Sequence, residues 1–238
     1  MIEVLPLAIV FVAALLQTTS GFGFALIVMP LLTLVLGIQT AAPLVALLGF
    51  TLYAINLIRY RRAFNRQEVI KLAAAAALGV PLGVWALASL DEGLVKLGLG
   101  VILVVYAGYA LWQPRAFTLR SGAWSYPAGF LAGVLGGAYN TPGPPLIVYG
   151  NLRDRPRDEF RSTLQALFLV SSALVIAAHW AAGHLSPAIG RAYALALPTL
   201  LLGILAGSWV DRRLRTAGFR TLVTAMILLL GLSLIFLH

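Results

Sequence analysis

The stretch GGAYNTPGPP, residues 136–145, lies inside an apolar run that extends over 126–149. Its three prolines, Pro142, Pro144 and Pro145, remove backbone donors and block a continuous helix, while its glycines permit conformations that helices do not use. A second stretch of the same character, QTTSGFGF (17–24), interrupts the apolar run 5–36. Both combine helix breakers with hydroxyl or amide side chains. They predict two helices that are broken at the depth of a membrane.

The membrane itself follows from composition. Of 238 residues, 61% are hydrophobic and 11% charged, too much apolar surface for a soluble domain of this size to bury. Residues 4–58 hold no Asp, Glu, Lys or Arg, far more than the roughly 20 residues that cross a bilayer core. Further apolar stretches occur at about 41–57, 69–90, 94–112, 164–180, 192–210 and 222–237. They are too long and too rich in Leu and Ala for barrel strands, and spanning backbone must satisfy its own hydrogen bonds, so the expected fold is all-α. Met1-Ile2-Glu3 lacks the basic start of a signal peptide, so the first run is expected to be retained. With no cysteine, the chain has no disulfide framework and no thiolate chemistry.

The two broken stretches belong to two similar halves. Phe11 through Leu16 aligns with Phe130 through Leu135, and Leu26-Ile27-Val28 with Leu146-Ile147-Val148. Leu44, Ala46 and Leu47 answer to Leu164, Ala166 and Leu167; Gly79, Gly83 and Trp85 answer to Gly203, Gly207 and Trp209. The reading is an internal duplication: an N-terminal repeat over 1–112, a linker over 113–123, and a C-terminal repeat over 124–238, forming one transport domain.

Basic residues then choose between topologies, since they are retained on the cytoplasmic side. Four connections, 59–71, 113–125, 151–161 and 211–220, carry 15 of the 17 Lys and Arg. Eight full spans in two parallel repeats, the alternative, divide these between both sides. Two inverted-topology repeats, each a re-entrant or broken helical hairpin plus three transmembrane helices, place all four connections in the cytoplasm and the C-terminus outside. An inner-membrane, multi-pass protein is expected, with the formal charge of +9 setting orientation rather than binding nucleic acid.

The runs GFGFALIVMPLLTLVLG (21–37), AGVLGGAYNTPGPPLIVYG (132–150) and RSTLQALF (161–168) resemble the paired glycine-proline signatures of the sulfite exporter TauE/SafE family. The resemblance covers essentially the whole chain, including the duplication. It implies transport, in the direction of export, of sulfite, sulfonates or related organosulfur anions across the cytoplasmic membrane. The first signature is reduced here, with Thr18-Thr19-Ser20 where a more glycine-rich run is usual.

Physically, a helix that starts in mid-membrane presents unpaired N–H groups and a partial positive charge of about half a unit, which suits an oxyanion without a buried lysine. The candidate substrate-binding residues are therefore Gln17, Thr18, Thr19, Ser20, Gly21, Phe22 and Gly23 from the first break and Tyr139, Asn140, Thr141, Pro142 and Gly143 from the second. Arg161 is the candidate cation, and Gln165 lies one helical turn from it on the same face. These polar groups have an alternative role, satisfying backbone groups that the breaks set free, and Gln165 an alternative as an interhelical hydrogen bond.

All eight acidic residues fall in or at the edges of connections, so no intramembrane carboxylate relay is expected. NLRDRPRDEFR (151–161) alternates charges as a solvated loop does, with no phosphate-cradling motif and no metal spacing, so no enzymatic activity, metal or cofactor is expected, the alternatives to a transporter being a passive anion channel, an integral-membrane enzyme or an assembly factor. Glycine-rich faces at Gly79, Gly83, Gly203 and Gly207 suit close helix packing, within one chain or between copies in a homo-oligomer.

Overall fold

The computed structural model describes residues 4–60, 65–112, 119, 121–153, 157–211 and 217–236. Among these residues ten α-helices follow one another: α1 Val4–Ser20, α2 Phe24–Leu36, α3 Ile38–Tyr60, α4 Arg66–Ser89, α5 Glu92–Trp112, α6 Ser125–Tyr139, α7 Gly143–Leu152, α8 Arg157–Ala181, α9 Pro187–Asp211 and α10 Ala217–Phe236. A 3-10 turn, Gly122–Trp124, leads into α6. Each half thus contains a short pair followed by three longer helices.

Five helical segments, Ile38–Arg59, Arg66–Ser89, Glu92–Trp112, Glu159–Ala181 and Pro187–Asp211, are long and apolar enough to cross a membrane. Large apolar side chains such as Leu78, Trp85, Val105, Leu205 and Trp209 lie exposed on their outer faces. Water does not tolerate such a surface over so many helices, but lipid does. The chain is an all-helical, multi-pass membrane protein.

Both runs that the sequence marks as broken are interrupted at the breakers. The first divides between Ser20 and Phe24, where Gly21 and Gly23 take φ of 88° and 110°. That left-handed backbone is costly for any residue with a Cβ. The second divides between Tyr139 and Gly143. Here Asn140 supplies the left-handed residue, with φ of 53°, and prolines occupy the first turn of α7, where a missing N–H costs no hydrogen bond.

Small residues bring the halves together. A Cβ on Gly79 or Gly83 of α4 would collide with the carbonyls of Phe130 and Val134 on α6. Gly203 and Gly207 of α9 face the carbonyls of Phe11 and Leu15 on α1, each 2.6 Å from where a Cβ would lie. Phe130 and Phe11 are aligned positions, as are Val134 and Leu15, so matched glycines meet matched carbonyls of the opposite half. These glycine faces therefore serve packing inside one chain, where tight van der Waals contact replaces a hydrophobic driving force.

The contact register also gives helix directions. Along α4 and α6, and along α9 and α1, contacts advance together, so each pair runs parallel. On α3 and α9, Thr51 meets Tyr193 and Arg59 meets Ser208, again parallel. Gly49 faces Ser172 while Tyr53 meets Phe168, so α3 and α8 run antiparallel. Asn65, at the head of α4, bonds Thr163 near the head of α8, and Val80 and Val84 further along pack with Val175, so α4 runs with α8.

One end of the bundle gathers the charge. Asp211 pairs with Arg59 at 3.1 Å and with Arg161 at 3.6 Å. Asn65 donates to Glu159, Arg153 reaches Glu68 and the Leu119 carbonyl, and Gly122 lies beside Lys71. Residues from all four basic connections thus meet at the same end.

Candidate functional site

The first break is held from within by Gln17. Its carboxamide oxygen accepts from the Phe24 N–H at 2.9 Å, and its nitrogen donates to the Gly21 carbonyl at 3.3 Å. One amide side chain therefore ties the end of α1 to the beginning of α2 across the gap. Ser20 donates to the Leu16 and Phe22 carbonyls, and Thr19 to those of Leu15 and Gly207. These are the backbone-satisfying roles that polar residues at such a break are expected to take.

Two residues of α8 complete the first break. Gln165 donates to the Gly21 carbonyl at 2.8 Å, and Arg161 donates to the Thr19 carbonyl at 2.7 Å. The Arg161 side chain lies over Gly21, its Nε 3.1 Å from the position a Cβ would take. Arg161 thus joins the break to Asp211 and, through that carboxylate, to Arg59. Of the candidate residues, Gln17, Thr18, Thr19, Gly21, Phe22, Gly23 and Gln165 are buried at or beside the first break, while Ser20 and Arg161 there are half-buried.

The second break is simpler. Asn140 donates to the Ala42 carbonyl of α3 at 2.5 Å, and its own N–H returns to the Gly136 carbonyl at 2.8 Å. Thr141, Pro142 and Gly143 are buried, whereas Tyr139 is half-buried with its hydroxyl against Gly98 of α5, away from the other candidates.

Rings connect the two breaks. Phe24, the first residue of α2, stands edge-on to Tyr53, with centroids 6.4 Å apart. Tyr53 in turn meets Phe168 at 5.1 Å. The tip of the Phe168 ring lies 3.7 Å from where a Cβ on Gly143, the first residue of α7, would sit. The beginnings of α2 and α7 therefore face a common pair of side chains, one from each half. Phe168 had a signal in the sequence: it follows Arg161 and Gln165 at seven and three residues, on one helical face. Asp211 and Ala42 had none, because their contacts come from helices far apart in the chain.

Among the described residues, Thr18 Oγ1, Thr141 Oγ1 and Gln165 Oε1 are buried polar atoms with no hydrogen-bond partner. The hydroxyls belong to the two breaks, one to each. Native proteins rarely leave such groups unsatisfied, and the exceptions concentrate where a ligand, ion or water belongs. No group of three or more metal-ligating side chains occurs among the described residues.

Comparison with known proteins bears on what these breaks are for. The family model for sulfite exporter TauE/SafE matches residues 6–234. The chain belongs to the TauE/SafE family. A curated relative, described as a probable sulfite/organosulfonate exporter TauE of Cupriavidus necator, is 27% identical over 227 residues, covering 92% of this chain and 88% of the relative. No solved structure matches. The match spans both breaks, so nearly the whole chain, rather than one motif, carries the resemblance.

Proposed function

We propose that the protein exports a small sulfur oxyanion, sulfite or an organosulfonate, by alternating access around a site between its two broken helices. The family and the named relative support the substrate class. The observations that carry the site are the two unpartnered buried threonine hydroxyls, one at each break, together with helix starts that face the same two rings. An oxyanion accepts from hydroxyls and is favoured by the positive ends of α2 and α7, so the arrangement gives an anion its partners without a fixed cation inside the membrane.

Inverted repeats, roughly 1–112 and 124–238, fit the helix directions. Because α1 runs with α9, α9 with α3, α3 against α8, and α8 with α4 and α6, the matched helices α1 and α6 point opposite ways. Rocking of one such half against the other is the movement this plan favours, with glycine-lined contacts as the sliding surfaces. The end where Arg59, Arg153, Arg161 and Asp211 gather is the cytoplasmic end, in keeping with the retention of basic connections.

The test is thermal stabilisation of the purified protein by sulfite, short alkyl sulfonates, sulfate, acetate and chloride. A ligand at 100 times its Kd adds about 2.7 kcal/mol to the folded state. Stabilisation confined to the sulfur oxyanions is expected. Equal silence for all five anions in a protein that reconstitutes without flux would overturn the proposal.

A further inference from the structure

Two buried amides on different helices are each short of a partner among the described residues. Gln165 of α8 gives its nitrogen to the Gly21 carbonyl at 2.8 Å, while its Oε1 accepts nothing. On α3, Asn56 Nδ2 donates to nothing. Both side chains are almost wholly buried. The Gly21 carbonyl fixes the orientation of the Gln165 amide, because the reverse orientation would set two oxygens against each other. Gln165 therefore presents a buried acceptor that none of the described residues fills.

The packing of α3 on α8 puts these two amides at one level. The helices run antiparallel, with Gly49 opposite Ser172 and Tyr53 opposite Phe168, so an advance of four residues on α3 matches a retreat of four on α8. Three residues further along the same faces come Asn56 and Gln165. A carboxamide nitrogen and a carboxamide oxygen thus face each other from the two halves without bonding. The gap between them lies beside the first break, which Gln165 holds at Gly21, and one turn from Arg161 on α8.

We propose that this gap holds part of the transported anion, and that Gln165 selects a sulfur oxyanion carrying a hydrogen-bond donor of its own, hydrogen sulfite or a sulfonate bearing a hydroxyl. This rests on the transport reading above and names the protonation state and substituent that its site takes. Asn56 Nδ2 donates to an oxygen of the anion. Gln165 Oε1 can only accept, so the ligand must bring a proton to it. The sulfite dianion and a plain alkyl sulfonate offer lone pairs alone. Each leaves Gln165 Oε1 buried and unpaired, and the dianion adds a second charge to be desolvated. Hydrogen sulfite satisfies both amides, with an oxygen bound by Asn56 and its proton directed at Gln165. Sulfite exported in this form takes its proton along, in keeping with a chain whose acidic residues all lie in or at the edges of the connections.

Thermal stabilisation of the purified protein by 2-hydroxyethanesulfonate and by ethanesulfonate tests the donor. The hydroxy compound is expected to bind about tenfold more tightly. Gln165→Met keeps the length of the side chain and leaves Gln17 on the Gly21 carbonyl, and in it the two sulfonates are expected to bind alike. A merely structural role for Gln165 would weaken both by one factor and keep their ratio. Sulfite is titrated alongside, on both sides of the near-neutral pH at which it takes up its proton. Among the described residues the charged and titratable groups around the pair are Arg161 on α8, Tyr53 and Arg59 on α3 and Asp211 on α9, and the break at 20–24 contributes none. Ethanesulfonate, which keeps one charge throughout, controls for their titration. Half-saturating total sulfite is expected to rise about tenfold per pH unit on the alkaline side while ethanesulfonate stays level. Should Gln165→Met not fold, the two sulfonates and the sulfite titration in the unaltered protein decide. Equal affinity for the two sulfonates there would overturn the proposal, as a gap filled by water predicts. So would a preference that survives in Gln165→Met, or sulfite binding that ignores pH. Silence toward sulfite and both sulfonates, in a protein that reconstitutes without flux, would instead sink the transport reading, so the two failures are told apart.

Discussion

The two breaks follow similar stretches of sequence, Phe11–Leu16 and Phe130–Leu135, but are built by different means. The first rests on left-handed glycines, and its carbonyls are taken by side chains of the opposite half, Arg161 and Gln165. The second relies on Asn140 and on prolines that need no donor, with one bond to the backbone of α3. Similar flanking sequence goes with an interrupted helix in both places, yet what holds the interruption differs. The first break is mechanically coupled to α8 and, through Asp211, to α3 and α9. Movement of one half against the other has to strain or release that coupling, whereas the second break travels with few polar ties.

The sharpest way to break the comparison is to substitute the same residue at both. Gly21→Ala places a Cβ on a backbone with φ of 88° and pushes it toward Arg161 Nε at 3.1 Å. Left-handed strain and the displaced guanidinium together are expected to cost about 2–3 kcal/mol and to abolish flux. Gly143→Ala adds a Cβ that meets Phe168 and Ile147 at ordinary van der Waals distance, 3.7 and 3.8 Å, on a backbone outside the left-handed region. It is expected to change stability by less than about 1 kcal/mol. Thermal unfolding in detergent reads both; equal losses would erase the distinction between the breaks.

Next in size is the removal of each break's longest-range bond. Gln165→Leu takes one of the donors to the buried Gly21 carbonyl, leaving Gln17 at 3.3 Å, and is expected to cost about 1–2 kcal/mol. Asn140 combines a left-handed backbone with a bond to Ala42, and two variants separate these contributions. Asn140→Gly keeps the backbone and loses the bond, while Asn140→Ala loses both, so the alanine variant should be the less stable by about 1 kcal/mol. If the two unfold at the same temperature, the left-handed turn contributes nothing that the bond does not.

Much of this plan was legible in the residues, and the reason is chemical. Helix breakers flanked by hydroxyls inside apolar runs have few meanings in a membrane, and both interruptions fall at them, at 20–24 and 139–143. The glycines at 79, 83, 203 and 207 announced close packing, but their partners on α6 and α1 depend on tertiary placement that composition does not encode. Arg161 was recognisable as the notable cation. Its engagement with Thr19 and Asp211 was not, since both partners lie on other helices, far along the chain, and its local surroundings carry no trace of them.

The smallest expected effect on stability is the most informative about function. Thr18 and Thr141 each carry a buried hydroxyl with no partner among the described residues, so removing it costs none of the hydrogen bonds described. Threonine to valine preserves the branched shape while deleting a polar group whose burial is itself unfavourable, so Thr18→Val and Thr141→Val are each expected to leave unfolding unchanged or slightly raised. An oxyanion bound between the breaks loses one donor in each variant, and its apparent Kd should rise about fivefold to tenfold per substitution. That pattern, a neutral effect on stability together with weakened binding, distinguishes a ligand contact from a packing contact. Were either valine variant to destabilise the protein while binding sulfonate normally, that hydroxyl would belong to the scaffold. The anion site would then have to be drawn around the other break alone, which would turn a difference in construction between the two halves into a difference in role.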